Sequence, residues 1–316
     1  MKKLLDEPQK YGITVEKTES GATIIDAGIK APGGYLAGKI ITEICLGGYG
    51  KAKVLPIQYG DLVLSSVYVQ TDHPALSTLG SQFAGWQIKS TEFSAIASGP
   101  ARALALKPKN IYEEIKYKEE SDTAVIVLET EKHPPKEVIQ LIAEKCRVSQ
   151  EKLFAIAFST TSMAGATQVS GRIVETGLHK LTRCGFDPLE AKYAWGFAPI
   201  IPLHPKSDEA MGRANDAILY AGVTNYTVDC EDEEKLKNIV IQAPSSASKI
   251  IQEARLQAEE SPRFMDIFKE AGFDFYKIDP LIFAPAVVSM NSMRTGKTYH
   301  AGTLDLEVLK SSLGLK

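Results

Sequence analysis

The sequence predicts a mixed α/β fold made of two α/β subdomains. Residues 123–128 (TAVIVL) and 153–158 (LFAIAF) are continuous apolar runs, which are typical of strands buried on both faces. Between them, Pro134 and Pro135 open a segment whose apolar residues recur at helical spacing. A second helical segment follows the second run. This stretch therefore predicts a β-α-β-α unit.

The rest of the chain also alternates between predicted strands and helices. Runs rich in β-branched and aromatic residues predict strands over residues 23–29, 54–59, 62–70, 223–228, 281–290 and 298–301. Helical spacing and helix-breaking residues predict helices over residues 38–45, 74–84, 163–183 and 208–219. The polar composition of residues 244–262 suits an exposed helix at a domain crossing. The predicted domains are residues 1–120 plus 241–316, and residues 121–240.

The composition is typical of a soluble protein with a core. Of the 316 residues, 44% are hydrophobic and 24% are charged, which excludes a disordered chain. The 36 basic and 39 acidic residues give a net charge of −3, so no general attraction to nucleic acid or to an anionic membrane is expected. No segment approaches the roughly 20 apolar residues of a membrane helix, and the N-terminal apolar run is too short for a signal peptide. The four cysteines form no CxxC pair, which suits a reducing cytoplasm.

Motifs for nucleotide and metal binding are incomplete. Residues 33–40 (GGYLAGKI) are similar to a phosphate-binding loop, but Ile40 stands where a magnesium-binding Ser or Thr is needed. A tight turn before a helix is therefore the favoured interpretation. The five histidines show no metal-ligand spacing, and we expect no metal site.

Two hydroxyl-rich helix starts have the chemistry to hold an anion. Ser98 precedes a Gly-Pro pair and Arg102 at the first, whereas Ser159 and Thr160 follow a predicted strand at the second. Backbone N–H groups and hydroxyls at a helix N-terminus favour phosphate. The same residue types serve ordinary helix capping, and both interpretations stay open.

Arg172 and Glu175 are the candidate catalytic pair. They lie three residues apart in a predicted helix and therefore share a face. Gly171 and Gly177 flank them, and glycine inside a helix is unfavourable unless something must approach closely. The small and polar residues 164–170 leave room for a ligand against the backbone. A buried arginine would keep the glutamate ionised, as a general base requires.

Five segments closely resemble one enzyme family, methenyltetrahydromethanopterin cyclohydrolase. They occur in order over nearly the whole chain: TDHPALSTLGSQFAGWQ (71–87), SGPARALALKPKNIYEEI (98–115), SGRIVETG (170–177), EAMGRANDAILYAG (209–222) and DFYKIDPLIFAPA…TGKTYHAG (274–302). The resemblance implies reversible hydrolysis of 5,10-methenyltetrahydromethanopterin to the 5-formyl compound, with no metal and no cofactor besides this pterin carrier. It also implies a homotrimer and a substrate pocket between the two domains.

The resemblance assigns roles to individual residues. Arg172 and Glu175 match the family's R-x-x-E motif, in which the glutamate is the general base and the arginine orients the water and lowers the pKa of the glutamate. Gln82, Phe83 and Ala84 match a substrate-binding segment. Some members carry lysine where this chain has Phe83, so contacts from this segment are expected through its backbone.

The remaining candidates are polar residues inside the matching segments. For the phosphate tail of the carrier, we expect one of the two hydroxyl-rich helix starts, together with Arg102 or Lys107. Residues that suit the pterin edge, and equally suit helix capping, are Asp72, Glu209, Arg213, Asn215 and Asp216.

Two alternatives to this enzyme stay open. One is a protein that binds the pterin carrier without turning it over. The other, less favoured, is a phosphate-loop NTPase or kinase built on residues 33–39. No nucleic-acid or membrane partner is expected, because the chain is slightly acidic and has no basic patch with interleaved aromatic residues.

Overall fold

The computed structural model describes residues 1–258, 261–274 and 277–315. Its helices and strands fall into two units, which confirms the mixed α/β class. The first unit comprises residues 1–51 and 75–168, and the second comprises residues 52–74 and 169–316. Each unit contains one six-stranded sheet.

Strands and helices are numbered in chain order. The strands of the first unit are β1 (Thr14–Lys17), β2 (Thr23–Asp26), β5 (Trp86–Lys89), β6 (Ser94–Ser98), β7 (Ala124–Glu129) and β8 (Leu153–Phe158). Its helices are α1 (Lys2–Asp6), α2 (Pro8–Tyr11), α3 (Tyr35–Cys45), the π-helix Ala75–Gln82, α4 (Ala101–Ala105), α5 (Lys109–Glu114), α6 (Lys136–Cys146) and most of α7 (Met163–Ser170).

The sheet of the first unit is buried on both faces. Its strand order is β1-β2-β8-β7-β6-β5, and β2, β8 and β7 run parallel. On one face, Ile126 of β7 packs in a cluster with Ile142 of α6. On the other face, Ile156 of β8 packs in a cluster with Ile41 of α3. Burial on both faces explains why these strands appear in the sequence as continuous apolar runs.

The second unit has a mainly antiparallel sheet. Its strands are β3 (Gly50–Tyr59), β4 (Leu62–Thr71), β9 (Ala191–Pro199), β10 (Val223–Val228), β11 (Val287–Ser292) and β12 (Thr298–Gly302), in the order β12-β11-β10-β9-β4-β3. Its helices are α8 (Ile173–Arg183), α9 (Ser207–Ala221), α10 (Glu233–Gln242), α11 (Lys249–Ala258), α12 (Phe264–Glu270) and α13 (Leu306–Leu313). A helical core, which includes Tyr220 and Phe264, joins α9 to α12.

The two units divide the chain differently from the predicted domains, 1–120 plus 241–316 and 121–240. Strand pairing accounts for the difference. Because β8 pairs in parallel with both β2 and β7, residues 124–158 belong with the N-terminal segment. Because β10 pairs with both β9 and β11, residues 191–228 belong with the C-terminal segment. Pairing between distant strands is not visible in local composition.

The helix predicted over residues 163–183 is two helices, so that prediction is wrong at its centre. α7 ends at Ser170, and α8 begins at Ile173. The Ser170 hydroxyl donates to the carbonyl of Pro199 at 2.8 Å, and Arg172 has φ −84° and ψ 0°, which lies outside regular helix geometry. Gly171, which suggested a close approach in the sequence, marks this break.

The loop after β2 is organised by a buried carboxylate. Asp26 accepts hydrogen bonds from the backbone N–H groups of the next loop residues, Gly28, Ile29, Lys30 and Ala31, at 2.7–3.1 Å. Gly28 and Gly33 both have positive φ, and a Cβ at Gly33 would lie 2.3 Å from a backbone oxygen. The N–H groups of residues 28–31 thus bind a carboxylate of the protein itself. The positive φ of Gly33 agrees with a tight turn at the start of the glycine-rich segment.

Within the described ranges, none of the helices has both the length and the apolar character needed to cross a membrane.

Candidate active site

Arg172 and Glu175 form a buried ion pair at the start of α8. The Arg172 Nη2 lies 2.8 Å from the Glu175 Oε2. Only 12% of the arginine side chain and 5% of the glutamate side chain are exposed. In this environment, the guanidinium favours the charged form of the carboxylate far more than it would at a surface. The structure therefore brings the predicted pair together and buries it.

The helix start also favours an ionised Glu175. Arg172 is the N-cap residue of α8, and its carbonyl accepts the N–H of Thr176 at 2.8 Å. Glu175 is therefore in the first turn, where the partial positive charge of the helix N-terminus favours a negative side chain. The break after Gly171 is what places the carboxylate in a first turn instead of in the middle of a long helix.

Tyr226 holds α8 against the sheet of its unit. The phenol of this fully buried tyrosine on β10 donates to the carbonyl of Val174 at 2.7 Å. A Cβ added at Gly177 would lie 2.2 Å from the Tyr226 oxygen. The close approach that Gly177 suggested in the sequence is therefore made by a protein side chain, which fixes the helix turn that carries Glu175.

His179 extends the same face of α8, and the sequence reasoning missed it. It lies four residues after Glu175, so helical spacing alone could have identified it. Its side chain is buried, and the Nε of Arg183 donates to its Nε2 at 3.4 Å. Burial, and then the positive charges of Arg183, Arg172 and Lys180, lower the pKa of His179 to about 4. The imidazole is consequently neutral at neutral pH.

The segment that matches the family's substrate-binding residues ends the π-helix. Gln82 is fully buried, whereas Phe83 and Ala84 are half-buried. The Phe83 N–H donates to the carbonyl of Thr78 at 2.8 Å, which is the wide spacing of a π-turn. π-Helical turns are uncommon and occur often at functional sites. The geometry is consistent with a special role for this segment.

Arg102 and Ser98 have structural contacts that argue against the predicted phosphate site. The fully buried guanidinium donates to the carbonyls of Lys107, Leu79 and Ser81 at 2.8–3.3 Å. Ser98 is buried, and its hydroxyl lies 3.5 Å from the sulfur of Cys45. The Arg102 guanidinium therefore binds carbonyls of the protein, which leaves it unsuited to bind a phosphate that arrives from solvent.

The turn at Ser159 and Thr160 is also unsuited to an anion. The Ser159 hydroxyl donates to Glu131 at 2.7 Å, and the Thr160 hydroxyl donates to Glu129 at 2.6 Å. Both hydroxyl protons are thus directed at carboxylates. A phosphate placed here would meet two like charges, so the capping interpretation fits better than the anion site.

Among the α9 candidates, Asp216 has a structural role. It is buried and accepts the Phe264 N–H and the Ser312 hydroxyl, each at 2.7 Å. These bonds connect α9 to α12 and α13, which argues against the prediction that Asp216 contacts the pterin. Burial raises the pKa of its carboxyl to about 7.

The other predicted pterin contacts stay predictions. The side-chain amide of Asn215 donates to the carbonyl of Met211, one turn earlier in its own helix, at 2.9 Å. Glu209 and Arg213 are half-buried, and Asp72 is exposed after β4. Two residues of the last matching segment, 275 and 276, lie outside the described residues.

Comparison with known proteins identifies the family of the chain. A family model described as "Cyclohydrolase (MCH)" matches residues 1–313. Three relatives named methenyltetrahydromethanopterin cyclohydrolase come from Methanocaldococcus jannaschii, Methanothermobacter marburgensis and Methanococcoides burtonii. They are 42%, 44% and 39% identical to this chain, each over 99% of it and over 95%, 96% and 95% of their own lengths. The chain therefore belongs to the methenyltetrahydromethanopterin cyclohydrolase family.

Proposed function

We propose that this chain catalyses the reversible hydrolysis of 5,10-methenyltetrahydromethanopterin to 5-formyltetrahydromethanopterin, with Glu175 as the general base. The observation that carries the proposal is the buried ion pair of Arg172 and Glu175, with 2.8 Å between Nη2 and Oε2. Relatives that carry this name align over 99% of the chain, which supports the same reaction class.

The chemistry of the substrate suits this pair. The methenyl carbon lies between two nitrogens in a cationic amidinium group, so it is already electrophilic. Hydrolysis then requires a positioned water and a base for its proton. We therefore propose that no metal and no further cofactor takes part.

In the first step, the oxygen of water forms a bond to the methenyl carbon while a carboxylate oxygen of Glu175 takes one proton of that water. The substrate cation becomes a neutral adduct with a hydroxyl group on the bridge carbon. Arg172 holds the carboxylate in its ionised form and in one orientation. Because the addition removes the positive charge of the substrate, the positive guanidinium nearby favours the adduct over the starting cation.

In the second step, the bond from the bridge carbon to N10 breaks. Glu175 returns its proton to N10, and the hydroxyl of the adduct loses its proton as the formyl C=O forms on N5. The net reaction consumes one water and releases one proton. One carboxylate can thus serve both steps, because it is a base in the first and an acid in the second.

Substrate binding is proposed for the segment Gln82, Phe83 and Ala84, because this segment matches the family and ends an unusual π-helix. The backbone of the segment is the expected source of contacts. Glu209 and Arg213 on α9 are proposed as further polar contacts with the carrier, since both side chains are half-buried.

We further propose a cytoplasmic homotrimer. None of the four cysteines, all of which lie in the described ranges, forms a disulfide bond, as suits a reducing compartment. Support for assembly comes from β9, where about half of Tyr193 and more than a third of Trp195 are exposed, and Trp195 stacks on Tyr68. Aromatic residues of this kind are enriched in protein interfaces. Light scattering tests the proposal: a mass three times 34.4 kDa supports the trimer, and a monomer contradicts it.

The test of the reaction is a spectrophotometric assay of the purified chain. Loss of the conjugated methenyl chromophore would be followed with the tetrahydromethanopterin substrate and, in parallel, with its tetrahydrofolate analogue. Both would be repeated with a chelator present. Turnover of the first substrate that is unaffected by the chelator is the expected result. Binding of the carrier without turnover would instead favour a non-catalytic pterin-binding protein.

A further inference from the structure

Four side chains form a stripe along one face of α8. Arg172, Glu175, His179 and Arg183 follow one another at intervals of three, four and four residues, which places them on the same side of a helix. At each end of the stripe, two neighbouring side chains are in contact. The Arg172 Nη2 lies 2.8 Å from the Glu175 Oε2, and the Arg183 Nε lies 3.4 Å from the His179 Nε2. Along this face of the helix, His179 therefore follows the ion pair and precedes a second arginine, which is exposed.

We propose that His179, which contacts Arg183 on the face of α8 that carries Glu175, is a positioning residue for the hydrolysis and leaves the carboxylate of Glu175 paired with Arg172. This proposal rests on the proposed function, since it assumes that Glu175 is the base. His179 acts through Glu175 and has no assigned contact with the substrate.

The hydrogen bond from Arg183 defines the form of the ring. Because the guanidinium N–H can only donate, this contact favours the tautomer in which Nε2 of His179 carries the lone pair and Nδ1 carries the proton. In water the other tautomer is usually preferred. The arrangement therefore predicts a tautomer that can be recognised by spectroscopy.

The charges around His179 maintain its neutrality. On its own helix and the two cap residues, the positive groups are Arg172, Lys180 and Arg183. Glu175 and, at the C-cap, the thiol of Cys184 lie on the same segment. From neighbouring elements, Asp279 acts on Lys180, and Tyr226 contributes a phenol whose pKa burial raises far above its usual range. Three positive groups and burial together oppose protonation of the ring.

Protonation of His179 would place a new cation one helical turn from Glu175. That cation would compete with Arg172 for the carboxylate and would change the orientation of the base. The rate should therefore fall when the ring becomes charged, even though the fold is retained. The pH at which this fall begins, which is the acid limb of the plot of kcat against pH, depends on Arg183. Arg183 both donates to the ring and repels a second positive charge.

The ring itself can be observed by ¹⁵N NMR of the wild-type protein. The chain has five histidines, and the His179→Gln variant identifies the signal of His179 by its loss. We expect this signal to show a neutral ring with the proton on Nδ1, which stays neutral down to pH about 4. A signal with the proton on Nε2, or a ring that becomes charged near pH 6.5, overturns the proposal.

The kinetic test compares kcat against pH in four proteins. They are wild type, Arg183→Gln, the double variant Arg183→Gln with His179→Gln, and the control Arg147→Gln at the exposed C-cap of α6. Arg183→Gln removes the donor and the charge, so the pKa of His179 should rise and the fall in kcat should begin at a higher pH. The double variant has no imidazole, so it should not show the fall in kcat that begins at the higher pH in Arg183→Gln, and the control should keep the wild-type profile.

Each outcome of this comparison decides the proposal. If the acid limb of Arg183→Gln does not move, or if its shift persists in the double variant, His179 is not the group that disturbs Glu175 and the proposal is overturned. A merely structural role would lower kcat equally at all pH values. Failure of the proposed function is recognised separately, because wild-type protein would then show no turnover at any pH.

Discussion

The guanidinium of Arg172 and the carboxylate of Glu175 lie 2.8 Å apart in the first turn of α8, with both side chains almost completely removed from solvent. A buried ion pair of this kind is easily damaged, because removal of one partner leaves the other charge in a poorly solvating environment. In the reaction proposed above, it supplies a base whose ionised form and orientation are set before the substrate arrives.

The stability of the protein should depend strongly on this pair. Replacing Arg172 by Met leaves the carboxylate of Glu175 without the guanidinium, and we expect a loss of about 3–5 kcal/mol in the free energy of unfolding. Urea denaturation measures it. Lys109→Met provides the matched control, because it breaks an exposed pair with Glu113 and should cost less than about 1 kcal/mol. Equal losses in the two variants would show that the buried pair contributes no more to stability than the exposed pair.

Gly177 should not tolerate a side chain. A methyl group there would lie 2.2 Å from the Tyr226 oxygen, so Gly177→Ala must displace either the phenol or the helix. Overpacking of this kind costs about 1–3 kcal/mol. Because the displaced turn carries Glu175, kcat should fall as well. Gly34→Ala is the control, since no atom lies within 4 Å of its added Cβ; if both variants behave alike, the contact with Tyr226 is unimportant.

The buried carboxyl of Asp216 should make the protein less stable as the pH rises. Burial raises the pKa of its carboxyl from 3.8 to about 7 in the folded protein, so the folded chain binds this proton more tightly than the unfolded chain. The stabilisation is complete below pH 3.8 and is lost as the pH rises through 7, with a total of about 4 kcal/mol.

Asp216→Asn should remove that dependence. The amide can still accept the Phe264 N–H and can donate to the Ser312 hydroxyl, but it cannot ionise. Urea denaturation at pH 5 and at pH 8 should therefore show that the variant becomes more stable relative to wild type at the higher pH. A difference between the two proteins that is the same at both pH values would contradict a buried, titrating Asp216.

The carboxyl of Asp26 should make the stability of the protein depend on pH in the opposite direction. Burial acts to raise the pKa of its carboxyl, but the N–H groups of Gly28, Ile29 and Lys30, together with His133, lower it to about 2. Its contribution is therefore present above pH 3.8 and is lost as the pH falls through 2.

Asp26→Asn should cost about 2 kcal/mol near neutral pH, because charged acceptors of backbone N–H groups are lost. The difference from wild type should shrink below pH 3.8. Asp187→Asn, an exposed cap that accepts one N–H from Leu189, is the control and should change stability by only a few tenths of a kcal/mol. A loss that does not depend on pH would mean that the charge of Asp26 is not what the loop requires.

Local patterns were sufficient for most of the fold. The strands at residues 153–158 and 223–228 begin and end where their sequence runs predict, because each run is bounded by polar residues or by a turn. The helix over residues 163–183 shows the limit of this reasoning. Helical spacing continues through Gly171, but the hydrogen bond from Ser170 to Pro199 belongs to the tertiary structure and is invisible in the sequence.

The site was partly predictable for similar reasons. Arg172 and Glu175 could be identified from their spacing and from the resemblance, and the structure buries them together. The hydroxyls of Ser159 and Thr160 were ambiguous because their carboxylate partners are about 30 residues away in the chain. The partners of Arg102 are backbone carbonyls, which leave no signal in a sequence.

The measurement that tests the central claim most directly is the kinetics of Glu175→Gln. Glutamine preserves the size of the side chain but cannot accept the proton of water, so kcat should fall by about 10²–10⁴-fold while the affinity for the methenyl substrate changes little. Glu113→Gln, at the exposed helix position paired with Lys109, should leave both quantities unchanged. A Glu175→Gln variant that keeps the wild-type kcat would contradict the assignment of Glu175 as the base.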